Sequence, residues 1–105
     1  MTVYETAIAA LRGVGIEADA LCRDGLAAEY AIVRLARKRP FYADDRVACC
    51  ECTVEIRVFA KSGLCDLAQR AENALTAAGF GFVFRADKFD GEYQIATTEW
   101  KALEE

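Results

Sequence analysis

The residues best able to do chemistry in this sequence are its cysteines, three of which cluster as Cys49, Cys50 and Cys52. Close thiolates can bind zinc or act as nucleophiles. A zinc site needs two ligand pairs, or one pair with histidines. The sequence has a single pair at CxxC spacing, Cys49 with Cys52, but no second such pair and no histidine. Cys49 and Cys50 would also point to opposite faces of a strand. We expect reduced thiols, with Cys50 and Cys52 as small buried hydrophobic side chains and no bound metal.

The lack of histidine also limits enzymatic chemistry, because imidazole is the usual general acid or base near neutral pH. A thiol enzyme would need a stabilised thiolate, which the neighbouring acid Glu51 opposes. Acid pairs are the remaining candidates for acid-base or metal chemistry: Asp44 with Asp45, Asp87 with Asp90, and Glu104 with Glu105. The first pair adjoins Arg46 and the second precedes Gly91, contexts typical of turns. We expect no enzymatic activity and no cofactor.

A basic segment is the one local excess of positive charge. It comprises Arg34, Arg37, Lys38 and Arg39, with Tyr42 and Arg46 close behind. The whole chain has 13 basic and 17 acidic residues, a net charge of −4, so nucleic acid is not expected as the main partner. The segment fits either contact with an acidic surface of another subunit or a solvated loop that pairs with its own acids.

Two helices are predicted to position these residues. Thr2 and Glu5 have the spacing of a capping box, and the apolar residues that follow predict a helix over 3–12. A second apolar stripe predicts a helix that Ser62 caps and Gly79 ends. No apolar run approaches the roughly 20 residues of a membrane span, and the first residues lack a basic start, so we expect neither membrane insertion nor export.

Period-two alternation predicts the strands. Residues 29–37 and 47–59 each alternate between two faces, and the length of the second indicates a bulge or a projecting hairpin end. Residues 38–45 contain the only proline and are predicted to be a turn or protruding loop. A short edge strand is expected within residues 16–20.

A final hairpin is predicted after Gly79. Phe80, Phe82 and Phe84 alternate strictly, which favours core packing. Residues 87–91 are expected to form a turn, which a strand over 93–100 follows. The order of elements predicts one α+β domain over residues 1–105, with a mostly antiparallel sheet of about four to five strands and both helices on one face.

Three segments, in this order, also resemble a known family. They are RPFYADDRV at 39–47, CTVEIRVFAKSGLCDLAQRAENALTAAGF at 52–80, and DKFDGEYQIATTEW at 87–100. Over residues 29–100 the chain resembles the tail terminator, or tail completion, proteins of long-tailed bacteriophages and prophages. The CCEC cluster and the glycine-rich residues 13–28 depart from the usual pattern of that family.

The resemblance implies a structural role without catalytic residues. Such proteins assemble as rings, commonly hexameric, that cap the tail tube and dock it to the head connector, in virions assembled in the bacterial cytoplasm. The partners implied are further copies of the chain, the tail tube and the head-connector proteins. The expected contact residues lie in the loop at 39–46 and the turn at 87–91: Arg39, Phe41, Tyr42, Asp44, Asp45, Arg46, Asp87 and Asp90.

Two alternatives stay open. A head-completion or minor capsid protein would have a similar assembly role. A small-molecule or peptide-binding module would use the uncovered face of the sheet and the hairpin after Phe80 to line a pocket.

Overall fold

A computed structural model describes residues 2–20, 29–43 and 46–104, with side chains at 2–19, 29–40 and 49–103. The elements are α1 (Val3–Gly13), β1 (Ala18–Ala20), β2 (Glu29–Ala43), β3 (Arg46–Ala60), α2 (Leu64–Ala77), β4 (Gly81–Asp90) and β5 (Tyr93–Glu104). The sheet order is β1-β2-β3-β5-β4, and only β1 and β2 are parallel. The α+β prediction is confirmed, as is the short edge strand. No helix in the described part of the chain is long and apolar enough to cross a membrane.

Helix α1 begins at the predicted capping box. The Glu5 N–H donates to Thr2 Oγ1 (3.2 Å), and the Thr2 N–H donates to Glu5 Oε1 (3.4 Å). At the other end Gly15 has φ 80°, and the Ile16 N–H donates back to the Leu11 carbonyl (3.0 Å). This reversal satisfies a terminal carbonyl of the helix and directs the chain into β1.

Helix α2 begins differently from the prediction. Its N-cap is Gly63, with φ 71° and no side-chain hydrogen bond, so the prediction that Ser62 caps it is wrong. The Leu64 N–H instead donates to Oε1 of Gln94 on β5 (3.3 Å). A side chain brought by the sheet therefore takes the place of a local cap, which a local sequence pattern cannot reveal.

The end of α2 follows the prediction and gives a first test. Gly79 has φ 96°, and the Phe80 N–H donates to the Leu75 carbonyl (3.0 Å). We expect Gly79→Ala to lower the free energy of unfolding by about 1–2 kcal/mol, because a β-carbon is strained in this conformation. Urea denaturation measures the loss. Gly13→Ala is the matched control. Gly13 lies in α1, and a β-carbon added there would have no other heavy atom within 4 Å, so this substitution should not destabilise the fold. Equal losses in both variants would contradict this account.

The core lies between the helices and one face of the sheet. From β3 it takes Cys52, Val54, Ile56, Val58 and Ala60; from α2, Leu64, Leu67, Ala68, Ala71 and Leu75; from α1, Val3, Ala7 and Leu11. The predicted match between the alternating face of β3 and the apolar stripe of α2 is therefore confirmed. Cys50 is only partly buried, at the edge of this core. Trp100 on β5 completes the core with 1% exposure.

The β2–β3 hairpin is longer than predicted. The pairing runs to Ala43 opposite Arg46, so the prediction of a loop over 38–45 is wrong for residues 38–43. The other two residues of that predicted loop, Asp44 and Asp45, lie outside the described residues. Pro40 is tolerated because β1 pairs with β2 only as far as Val33, and beyond it no described strand covers the outer edge of β2. The molecule, with this hairpin, measures 51 × 24 × 24 Å.

Strand β4 departs most from the prediction. Phe80 is buried before the strand begins, but Phe82 and Phe84 are 54% and 44% exposed, so the prediction that all three are core residues is wrong. A bulge between Phe82 and Phe84 places Phe82 opposite Trp100 and Phe84 opposite Glu99. Because neighbouring residues of β5 point to opposite faces, the two phenylalanines lie on different faces of the sheet.

The turn of the last hairpin is also shifted. The prediction placed it within residues 87–91, whereas β4 continues to Asp90, which pairs with Tyr93. Gly91, with φ 55°, and Glu92 form the two-residue connection. Asp87 and Asp90 are therefore strand residues close to a turn.

Candidate assembly surfaces

The clustered cysteines do not converge on one site. Cys49 and Cys50 are half-buried, Cys52 is buried and Cys65 is exposed on α2. Cys50 and Cys52 share the helix-covered face, and the alternation of the strand turns Cys49 away from it. The described residues contain no group of three His, Cys, Asp or Glu side chains able to hold a metal ion.

The predicted basic contact residues lie along the β2–β3 hairpin. We name residues 34–40 of β2 the basic arm, since Arg34, Arg37, Lys38 and Arg39 are all exposed there. Arg39 lies opposite Glu51 in the pairing of β2 with β3. The backbones of Phe41, Tyr42 and Arg46 belong to the strands that form the end of the hairpin, whereas Asp44 and Asp45 lie outside the described residues.

The predicted acidic contact residues lie in a second segment, residues 87–92, which we name the acidic turn. Asp87 accepts two hydrogen bonds from Arg85, at 2.8 and 2.9 Å. This carboxylate raises the pKa of Arg85 above its ordinary value. Asp90 is exposed next to the connection. At the connection itself, Glu92 forms an ion pair with Lys61 (3.0 Å) and its hydrogen bond raises the pKa of that ammonium.

The register places the basic arm and the acidic turn at opposite ends of the sheet. β3 begins at the end of the hairpin with Arg46 and finishes at Ala60, which pairs with Gln94 beside the acidic turn. The molecule is 51 Å along its longest dimension. The two sets of predicted residues are therefore not brought together within one chain, and a direct contact between them requires a second copy.

The face of the sheet opposite the helices carries a cluster that the sequence analysis missed. The rings of Tyr30 and Phe59 stack, with centroids 4.5 Å apart, and Tyr93 meets both edge-on at 5.6 and 6.1 Å. On the same face, Lys101 Nζ forms an ion pair with Glu51 Oε1 (3.6 Å). Part of this cluster could have been predicted from the sequence, because antiparallel pairing of the two predicted strands sets Tyr30 opposite Phe59.

Two depressions in the described surface bear on the binding-module alternative. One, of about 530 Å³, is lined by Gly63, Leu64, Cys65, Asp87, Lys88 and Gln94. Among its described lining residues, Leu64 is the one large hydrophobic side chain, and it is just 7% exposed. On the open face, a depression of about 80 Å³ is lined by Ile32, Arg34, Glu55, Arg57 and Phe59. Ligand pockets usually measure about 300–1,000 Å³ and are enclosed by apolar side chains, so neither depression supports the binding-module alternative.

Exposed hydrophobic side chains concentrate instead on β4. The strand carries Phe82, Val83, Phe84 and Phe89, whereas the other exposed large hydrophobic residues among those described are Val14 and Leu103. β4 is also the last strand of the described sheet, so its outer edge has no neighbour there. Apolar edge strands of this kind favour pairing with another chain.

No protein-family model matches the chain, and no curated protein matches it.

Proposed function

We propose that this chain is a ring-forming tail completion protein of a long-tailed bacteriophage or prophage, which ends the tail tube and joins the tail to the head. One observation carries the proposal: an elongated domain has a basic arm at one end and an acidic turn at the other. The resemblance of residues 29–100 to tail terminator proteins supports the same role.

The geometry suits a head-to-tail contact between copies. A ring forms when one patch of a subunit meets a different patch of the next and the rotation closes. Arg39 on the basic arm and Asp90 on the acidic turn supply opposite charges at different ends of the molecule. Charge complementarity of this kind guides association and fixes its orientation. Copies of the chain are thus the first partner proposed, with the tail tube and the head connector above and below the ring.

The described residues suit a structural role better than a catalytic one. The chain has no histidine for acid-base work, its clustered thiols face different sides of a strand, and Asp87 is engaged by Arg85. The projecting hairpin and the exposed edge strand are features that assembly can use. In the proposed setting the protein acts in the virion, after assembly in the bacterial host.

Charge reversal tests the head-to-tail contact. We expect Arg39→Glu or Asp90→Lys to weaken self-association about tenfold or more, most strongly at low salt, where ionic contacts are least screened. The double variant carrying both reversals should recover association, since the opposite charges again meet. Sedimentation velocity over a concentration series at low and high salt gives the readout.

The fold itself should survive, because exposed ion pairs contribute only about 0–1 kcal/mol. Arg70→Glu, at an exposed position on α2, is the matched control and should associate like the unmodified chain. Unchanged association in both reversals, together with failure to bind purified tail tubes, would refute the proposed function.

A further inference from the structure

We infer that the outer edge of β4 pairs with β4 of a second copy, in antiparallel orientation about a two-fold axis at Ala86. The contact does not rest on the head-to-tail contact proposed above, although it includes Asp87 of the acidic turn. An isologous pairing closes at two copies, so it would join two free chains or two rings and leave the basic arm available.

The first observation is where hydrophobic exposure lies. Phe82, Val83, Phe84 and Phe89 are 54%, 43%, 44% and 70% exposed. They lie on the last strand of the described sheet, so the edge and the apolar side chains coincide. Covering the side chains and completing the backbone hydrogen bonds would both favour an added strand.

The second observation is that the charges of β4 are self-complementary. In an antiparallel pairing centred on Ala86, Arg85 lies opposite Asp87 of the second copy, and the same pair recurs on the other side of the axis. Arg85 and Asp87 share the helix-covered face, because they pair with Thr98 and Ala96 of β5. The two arginines and two aspartates would therefore alternate around a square.

The neighbouring positions extend the match. Phe84 lies opposite Lys88 of the second copy, and both side chains point to the open face, since their partners on β5 are Glu99 and Ile95. An aromatic ring accommodates the lysine stem and its ammonium. The bulge near Val83 leaves residues 84–90 as a regular stretch, which includes every residue of this central match.

The opposite edge of the sheet shows why β4 is the edge that pairs with itself. Beyond Val33, the outer edge of β2 bears Arg37, Lys38 and Arg39 and then Pro40, a combination that discourages strand addition. A second β2 would bring like charges together, whereas a second β4 brings opposite charges together. The occupant we assign to the β4 edge is therefore a second copy of this chain.

Two single reversals test this register when they are mixed. Arg85→Asp gives a chain with acids at both 85 and 87, and Asp87→Arg gives a chain with arginines at both. We expect each alone to self-associate at least tenfold more weakly than the unmodified chain, whereas an equimolar mixture forms a 1:1 heterodimer. Light scattering with chromatography, using one tagged variant, measures both results.

A second measurement applies if Arg85→Asp unfolds the chain by facing Glu72, which lies 3.6 Å from Arg85. Directly opposed residues of antiparallel strands have Cα atoms about 4.5–5.5 Å apart, within disulfide range. In a chain with Cys65→Ser, we expect Ala86→Cys to form an oxidised dimer. Thr97→Cys, one strand further in and opposite Ala86, is the matched control and should not.

Three results would overturn the inference. One is a chain that stays monomeric at every concentration while Ala86→Cys fails to cross-link. Another is a mixture of the two reversals that associates no better than either alone, and the third is open-ended aggregation without a dimer. Arg39→Glu, which should weaken ring formation, is expected to leave the β4 dimer intact, so the two proposals can fail separately.

Discussion

Trp100→Ala is expected to lower the free energy of unfolding by about 3–5 kcal/mol, the range for large aromatic residues in cores. Trp100 is 1% exposed and lies opposite Val54 at the centre of the sheet. The ring of Phe82 meets its indole edge-on, with centroids 5.3 Å apart. Truncation would leave a cavity beneath α2 and remove the support for the start of β4. Urea denaturation followed by circular dichroism measures the loss.

Comparison of Trp100→Ala with Thr98→Val separates the contribution of packing to stability from that of hydrogen bonding at this site. The indole N–H of Trp100 donates to Thr98 Oγ1 (2.8 Å), and that hydroxyl donates to the Ile56 carbonyl (2.8 Å). Thr98→Val nearly keeps the shape but leaves the indole N–H unpaired, at a cost of about 1–3 kcal/mol. Val83→Ala, at an exposed position, should cost about 0.5 kcal/mol or less. A loss in Trp100→Ala no larger than that of Val83→Ala would contradict the packing described.

The elements predicted best are those whose pattern is local and whose face is covered. The alternation over 47–59 predicts β3 because its buried side chains follow one another at every second residue, from Cys52 to Ala60. The capping box at Thr2 and the glycine at 79 locate one end of each helix, since both act through backbone groups a few residues away.

β4 shows where prediction from local sequence patterns fails. Alternation of Phe80, Phe82 and Phe84 indicates that they share a face, but a one-residue bulge reverses that relation, and no residue type marks its position. Nor does the pattern tell whether a strand is central or terminal. β5 lies between β3 and β4, so the last hairpin leaves β4 at the edge, where its phenylalanines are exposed.

The proposed contact residues depend on the same long-range information. The sequence identifies a basic and an acidic segment, but the distance between them follows from strand order and register. Arg39 and Asp90 lie at opposite ends because β5 runs antiparallel to β3 and begins beside Ala60. The sequence also does not reveal that β2 continues through Pro40, because a proline interrupts a central strand but is tolerated in an edge strand.

Leu67→Ala is expected to lower the free energy of unfolding by about 2–5 kcal/mol, as removal of a buried leucine side chain leaves both lost contacts and a cavity. Leu67 is 2% exposed in α2 and belongs to the core formed with Val54 and Ile56 of β3. Alanine is the best helix former, so the substitution does not weaken the helix itself. The loss therefore reports the packing of α2 on the sheet.

Arg70→Ala on the exposed side of the same helix supplies the comparison, with an expected change within about 0.5 kcal/mol. Both variants are unfolded in urea, and an unchanged slope of free energy against urea shows that the same surface is exposed in each. Because α2 shields β3 and touches β5, its loosening should also increase amide hydrogen exchange in the strands beneath it. A loss below about 0.5 kcal/mol in Leu67→Ala would mean that α2 does not hold the sheet by this contact.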